Sequence, residues 1–289
     1  MALYFVAAAL AFPGRASAVS AASEPIAIAP PRVEIRVGER LRFEGRWLGI
    51  PVGEGWIEVK GITTLNGRPA YYIEAEGRSN QLLSKFYPVQ DRIKSYLDVE
   101  TLQPLQFEKY QREGHYRADE IVMFDYHRRV ASYRSLLNQS TKEIPLPEGV
   151  HDIISAFYWL RMQPITIDRP VRVPIYSDEK VFETVIKPLK TLMLQLLWRG
   201  AFPCVVVEPD ARFKGIFVRR SRVVLYVTAD EWRLPLFAEV WTPWGRMTGT
   251  LDPRSVEAAQ RAPSAHADRS ERKTRTVGCG SVDGAGSVC

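Results

Sequence analysis

His151, Asp152, Ser155, Tyr158 and Arg161 bring an imidazole, a carboxylate, a hydroxyl, a phenol and a guanidinium into one short segment. Groups of these types, if they converge, can move protons or hold a polar ligand. Asp152, Ser155, Tyr158 and Arg161 recur every third position, which sets them along one side of a helix. They are therefore candidate ligand-binding residues. A plainer account stands beside that one. Asp152 caps the helix, Ser155 bonds locally and Arg161 pairs with a carboxylate of a neighbouring sheet. His151 and Asp152 make a poor catalytic dyad, because neighbours in sequence point apart on a helix.

The remaining chemistry is sparser. Asp125 and His127 flank Tyr126 and share a strand face, as an acid–base pair or half a metal site would, but a turn explains Asp125 more simply. The chain holds four His and three Cys, none at zinc-like spacing, so no metal is expected. Cys204 reads as a small buried residue, and Cys279 and Cys289 lie near the end of the chain. No nucleophile elbow, phosphate loop or dinucleotide fingerprint occurs, so no cofactor and no catalytic residue are assigned. Asp91, Asp98, Glu120, Asp178, Glu208 and Asp230 could supply a glycosidase-type carboxylate pair, but spacing alone selects none of them. Trp232, Trp241 and Trp244 cluster near the last turns and are the aromatic candidates for a stacking or membrane-interface surface, with core packing as the alternative.

The elements that must position these groups are mostly strands. Short alternating apolar and polar runs, broken by turn residues, fill most of Leu41 to Leu251. Strands are expected at Leu41–Trp47, Trp56–Lys60, Ala70–Glu76, Arg92–Leu97, Leu105–Gln111, Tyr116–Phe124 and Arg129–Tyr133. They resume at Val171–Tyr176, Val181–Ile186, Leu192–Leu197, Cys204–Glu208, Gly215–Arg222, Val223–Thr228, Leu236–Trp241 and Arg246–Leu251. Pro51–Gly55 reads as a turn and Asn66-Gly67 as a tight one. Between the two sets, Val150, Ile153, Ile154, Phe157 and Leu160 follow the period of one helix face, which Pro164 ends. The fold class is mainly β: a large curved antiparallel sheet, or partly open barrel, with one central amphipathic helix. Curling or covering its edges would spare such a sheet an exposed edge, and an apolar concavity would offer a binding place.

Ala2–Phe12 is an apolar run of signal-peptide length, followed by Pro13-Gly14 and the small-x-small pattern Ala16-Ser17-Ala18. No basic residue precedes the run. The organisation expected is a signal peptide over 1–18, a linker over 19–36, one β-rich domain over 37–257 and a disordered tail over 258–289. Some of the excess positive charge behind the formal net +6 lies in that tail, at Arg261, Arg269, Arg272, Lys273 and Arg275. The domain itself shows no basic, aromatic-interleaved patch, so nucleic acid is not an expected partner. No later stretch has the length and hydropathy of a transmembrane span.

Spaced clusters add a resemblance. They are Tyr87-Pro-Val-Gln-Asp91 with Ser95 and Asp98; Thr101-Leu102-Gln-Pro104 with Phe107; and Phe124-Asp125. Then come His151-Asp152-Ile-Ile-Ser155-Ala-Phe-Tyr158-Trp-Leu-Arg161, Phe202-Pro-Cys204-Val-Val-Val-Glu208-Pro209, and Thr228-Ala-Asp230-Glu-Trp-Arg233-Leu-Pro235. In this order, over about Leu41 to Leu251, the chain resembles the bacterial domain of unknown function 3108. The resemblance implies an exported, β-rich protein of a Gram-negative envelope, periplasmic or secreted, with no assigned activity. The Asp-Glu-x-Arg-x-Pro segment is also similar to half-barrels that carry lipoproteins across the periplasm, an analogy of fold. The expected function is non-enzymatic binding of an apolar or amphipathic ligand (a lipid or lipoprotein) or of a partner protein. The alternative is an enzyme acting on polysaccharide through paired carboxylates.

Overall fold

The computed structural model describes residues 26–32, 34–196, 200–210, 222–243 and 245–255. The expected signal segment, the tail with Cys279 and Cys289, Trp244 and all but the last residue of the expected strand Gly215–Arg222 lie outside the described residues.

The strands are β1 (Arg40–Trp47), β2 (Ile50–Leu65), β3 (Arg68–Ser79), β4 (Gln90–Asp98), β5 (Pro104–Glu113), β6 (Tyr116–Asp125) and β7 (Val130–Ser135). They continue as β8 (Thr141–Pro145), β9 (Val171–Ser177), β10 (Lys180–Leu196), β11 (Gly200–Asp210), β12 (Arg222–Thr228), β13 (Pro235–Thr242) and β14 (Gly245–Leu251). A single turn of helix, α1 (Gln81–Ser84), follows β3, and α2 (Ile153–Arg161) lies between β8 and β9. All the strands form one sheet in the order β8-β7-β6-β5-β4-β3-β2-β1-β14-β13-β12-β11-β10-β9. This is an antiparallel meander cut between β8 and β9 and joined through β1 and β14. It is one large sheet, not closed into a barrel.

Alternation builds the core. In β3, Tyr71, Ile73 and Ala75 are buried while Tyr72, Glu74 and Glu76 stay half-exposed, as a pleated strand with one dry face requires. The inward residues of β1 to β7 meet Ile154 and Tyr158 of α2, Tyr176 of β9, Leu194 of β10 and Cys204 of β11 in one cluster. A second cluster lies on the other side of β9–β11, where Val173, Ile175, Val205 and Val207 pack with Ala156, Trp159 and Leu160. The helix thus belongs to both layers.

Helix α2 also spans the gap left by the open sheet. The His151 N–H donates to the Pro174 carbonyl at 2.9 Å, and the Tyr176 N–H donates to the His151 carbonyl at 2.7 Å, a parallel bridge onto the free edge of β9. The β9–β10 turn reaches back to the first half of the sheet. Asp178 pairs with Lys109 of β5 at 3.1 Å and Glu179 with Lys142 of β8 at 3.2 Å. The Phe124 ring of β6 meets Tyr176 edge-on, with centroids 5.6 Å apart.

Four local readings change. The first turn falls at Leu48-Gly49, both at positive φ, not at Pro51–Gly55, so β2 begins at Ile50. Val181–Ile186 and Leu192–Leu196 belong to one strand, β10, which passes Pro188 through a register shift between Pro188 and Lys190; proline is tolerated at such a bulge. Strand β8 carried no alternation signal, since only Ile144 in it is buried. The stretch read as a linker includes packed residues: Ile35 is buried, and Ala29 and Arg32 donate backbone hydrogen bonds to Ala229 and Glu231. The Asn66-Gly67 turn stands where expected, with φ of 50° and 78°.

Gly53 marks a close approach. A Cβ there would lie 2.3 Å from the Arg78 carbonyl oxygen, a backbone atom of the paired strand. Gly53→Ala is expected to cost about 1–3 kcal/mol, the range of overpacking, read as a lowered urea midpoint at unchanged m-value.

Candidate functional site

The two ends of α2 are fixed by different chemistry. At its start, Asp152 is the N-cap: its Oδ1 accepts the N–H groups of Ile154 and Ser155 at 2.7 and 2.8 Å. The Ser155 hydroxyl accepts the Asp152 N–H at 2.8 Å, completing a capping box. The other carboxylate oxygen accepts the Ser95 hydroxyl of β4 at 2.5 Å. Burial pushes the Asp152 carboxyl up to about 6, against these hydrogen bonds, and pushes the His151 imidazole down to about 4. Asp152 therefore ties the helix start to β4 through Ser95, while Ser155 bonds within the cap.

At the other end, Arg161 makes a bidentate pair with Glu39, just ahead of β1, at 2.6 and 2.9 Å. Its Nε donates to the Trp232 carbonyl at 3.3 Å. The Tyr158 ring lies 5.3 Å from the Arg161 guanidinium, and burial drives its hydroxyl well above the ordinary phenol range. Over the Trp232 ring stand the guanidinium groups of Arg32 and Arg36, at 4.6 and 4.3 Å from its centroid. Glu34 and Glu231 hold Arg32, and Glu34 also holds Arg36. Trp232 is half-buried in this arrangement.

Of the expected site residues, Tyr158, Arg161 and Trp232 thus come together around one small cavity of about 10 Å³, with Arg32, Arg36 and Glu39. That is room for about one water. Asp152 and Ser155 sit at the opposite end of the helix. Trp241 stands apart on β13, between Arg222 and Arg246 at 5.5 and 6.0 Å, and Trp244 lies outside the described residues. Arg32 and Arg36 escaped the sequence reading because Pro30-Pro31 marked the segment as linker, and Glu39, within the expected domain, carries no local sign of its distant partner. The alternation of Arg32, Glu34 and Arg36 with Ile35 was the available signal.

The carboxylates proposed for a glycosidase pair are already engaged. Asp91 accepts the Arg112 N–H at 2.9 Å. Asp98 closes a turn at Thr101 and pairs with Arg68 at 2.7 Å. Glu120 and Asp178 share Lys109 at 3.0 and 3.1 Å, and Glu208 pairs with Arg222 at 2.6 Å. Asp230 accepts the Thr228 hydroxyl and the Trp232 N–H at 2.5 and 3.0 Å. Buried Arg233 donates to the Ala29 carbonyl. Asp125 closes a turn by accepting the Arg128 N–H at 2.9 Å. Burial pushes the Cys204 thiol up to about 12, which leaves it protonated and inert.

On the side that sequence cast as an apolar concavity, buried side chains of β1 to β8 pack with those of α2, β9, β10 and β11. A larger cleft of about 290 Å³ opens elsewhere, lined by charged groups such as Arg42, Glu54, Arg78 and Arg254. Among the described residues no group of three or more His, Cys, Asp or Glu is placed to hold a metal ion. No described helix is long and apolar enough to cross a membrane.

Comparison with known proteins bears on the family. No curated protein matches the chain. A solved structure from Brucella abortus, described as a beta-barrel-like protein of domain of unknown function DUF1849, is 7% identical, with 75% of this chain and 97% of that one covered and a TM-score of 0.45. The profile of the family described as Protein of unknown function (DUF3108) matches residues 42–252. That span takes in the sheet from β1 to β14 and the helix that bridges it, and the chain belongs to the DUF3108 family.

Proposed function

We propose that this chain is an exported cell-envelope protein that acts by binding, and that its ligand meets the face where α2 ends against Trp232. The carrying observation is the half-buried indole with the Arg32 and Arg36 guanidinium groups over its ring, beside the Arg161–Glu39 pair. An aromatic plate bordered by guanidinium groups suits an amphipathic partner with an acidic group, such as a lipid or lipoprotein headgroup, or the acidic surface of a partner protein.

The binding reading is tested by purifying the protein from its native envelope and identifying retained lipids by mass spectrometry. Wild type is expected to retain an anionic amphiphile that Trp232→Ala retains about tenfold less, a loss of about 1.4 kcal/mol. Equal retention by both proteins, or none by either, removes the assignment of this face. Export is tested separately, by N-terminal sequencing of the protein from the periplasmic fraction; a new N-terminus directly after Ala18 is expected.

A further inference from the structure

Large apolar side chains gather, exposed, at one end of the sheet, away from Trp232. Strand β1 starts next to Glu39, at the Trp232 end, and finishes at Trp47, at the other. There the β1–β2, β3–β4 and β5–β6 turns lie side by side, because β1 to β6 are consecutive neighbours in the sheet. Among the described residues, six of the ten large apolar side chains that stand exposed belong to these turns: Trp47, Leu48, Ile50, Leu82, Phe86 and Tyr116. Single exposed apolar residues are ordinary on a protein surface, whereas a group of them marks an interaction surface.

Hydrogen bonds join the three turns. The Asn80 N–H donates to the Val52 carbonyl at 2.7 Å, and the Asn80 side-chain amide to the Pro51 carbonyl at 2.6 Å. The Gly114 N–H donates to the Pro88 carbonyl at 2.8 Å. In the middle turn the helical period sorts the side chains. The Tyr87 N–H donates to the Leu83 carbonyl at 2.8 Å, so the winding of α1 continues to Tyr87. Leu83 and Tyr87, four positions apart, pack against the cluster of Val52, Val89, Val240 and Met247. Leu82 and Phe86, also four apart, take the neighbouring face and stand out, with Phe86 81% exposed. Packing uses the first pair; the second pair is apolar without a packing role.

The charge of these turns is one-sided. Lys85 adjoins Phe86 and Arg117 adjoins Tyr116, and both cations are exposed. Arg117 donates to the carbonyls of Gly114 and Tyr116, each at 2.8 Å. Neither cation has a carboxylate partner among the described residues. The acids near them are occupied: Glu113 is buried, Glu44 holds Arg46 at 2.7 Å and Asp119 holds Arg112 at 2.8 Å. Arginines on the strand faces differ, since Arg40, Arg42, Arg78 and Arg92 each pair with a glutamate. Strands β1 to β6 are paired on both sides, so the turns offer no free edge to a partner chain. Apolar and aromatic side chains beside unpaired cations match the headgroup layer of an anionic bilayer instead. The rings and aliphatic groups reach the acyl boundary while the ammonium and guanidinium groups meet the phosphates.

We propose that this rim docks the protein on the surface of an anionic lipid bilayer, with Leu82 and Phe86 as the inserted side chains and Lys85 and Arg117 as the headgroup contacts. The docking surface lies at the opposite end of β1 from the Trp232 face and does not depend on it.

The experiment is flotation of the full chain with vesicles of phosphatidylethanolamine and phosphatidylglycerol, and with vesicles of phosphatidylcholine alone. Wild type is expected to bind the anionic vesicles about tenfold more tightly than the neutral ones. The double variant Leu82→Ser with Phe86→Ser is expected to bind them about tenfold or more weakly than wild type. Its thermal midpoint is expected to stay unchanged, because both side chains are exposed. Lys85→Glu with Arg117→Glu is expected to lose most of the preference for anionic vesicles. Ile62→Ser changes an exposed apolar residue near the other end of β2 and is expected to bind as wild type does. The basic residues beyond Ala258 are common to every variant, so the comparison isolates the rim. Equal binding by the Leu82→Ser, Phe86→Ser variant, equal binding of wild type to both vesicles or to neither, or an equal loss in Ile62→Ser would each overturn the proposal. A wild-type dimer that this double variant splits, with vesicle binding unchanged, would also overturn it and assign the rim to a second copy. The lipid-retention test reads Trp232, which none of these variants touches, so either result stands without the other.

Discussion

Arg161→Ala is expected to destabilise the protein by about 3–5 kcal/mol, because it strands a buried carboxylate without its partner. The Glu39 side chain is 3% exposed and that of Arg161 13%, so water cannot replace the lost bidentate contact. The same change removes the donor to the Trp232 carbonyl and so loosens α2 from both β1 and the turn before β13. Urea unfolding at neutral pH measures the loss. Two controls separate charge burial from packing. The double variant Glu39→Leu with Arg161→Met replaces both charges by apolar groups of similar size and is expected to recover most of the stability. Arg128→Ala breaks a pair with Glu143 whose side chains are both more than half exposed, and is expected to leave the midpoint almost unmoved. A double variant as unstable as Arg161→Ala would show that the pair is not the source of the loss.

The second large effect is a pair of opposed pH dependences at the other end of the helix. The folded-state value of Asp152, about 6, lies above its ordinary 3.8. The folded protein therefore holds that proton more tightly, and the stability this gives is present at low pH and lost as pH rises from about 4 through about 6. His151 runs the other way. Its folded value, about 4, lies below 6.5, so its stability is present at high pH and lost as pH falls through that window. Side by side, the two contributions largely offset each other. Asp152→Asn keeps a cap-forming side chain and removes one of them. The wild type is expected to gain stability over this variant, by up to about 1.4 kcal/mol per pH unit, as pH falls from 6 to 4. Against His151→Phe, which leaves the backbone bridge intact, the wild type is expected to lose stability over the same range. Unfolding curves at a series of pH values measure both slopes. Difference curves that stay flat would show that neither group is desolvated as its surroundings imply.

Much of the fold was legible because it rests on short-range pattern. Tyr71, Ile73 and Ala75 announce their strand by period, and Asn66-Gly67 announces its turn by the positive φ that both residues tolerate. Asp152 announces the helix start by cap chemistry. The errors have the same origin. Pro51, Gly53 and Gly55 look like turn residues, yet Gly53 is there because β3 comes too close for a side chain. Pro188 looks like a strand end but occupies a bulge. Strand β8, with Lys142, Glu143 and Pro145, is a short charged edge of the kind that discourages further pairing, and such edges carry little periodic signal.

The candidate site was only half legible. Tyr158 and Arg161 declared themselves by helical spacing, and Trp232 by its place in a turn. Their partners did not, because Glu39 lies 122 residues from Arg161 and Ser95 lies 57 from Asp152. No local period encodes such contacts. The seam between β8 and β9 is likewise a product of the whole fold, as the segment that crosses it is the approach to a helix.

The segment ahead of α2 latches the open sheet onto its far edge. Site-resolved hydrogen exchange of the His151 and Tyr176 amides tests it most directly, since both donate across the seam, to Pro174 and to His151. Both are expected to exchange only on global unfolding, as slowly as the amide of Ser95 in the middle of the sheet. Exchange as fast as that of the exposed β6–β7 turn, around His127 and Arg128, would contradict a latched seam.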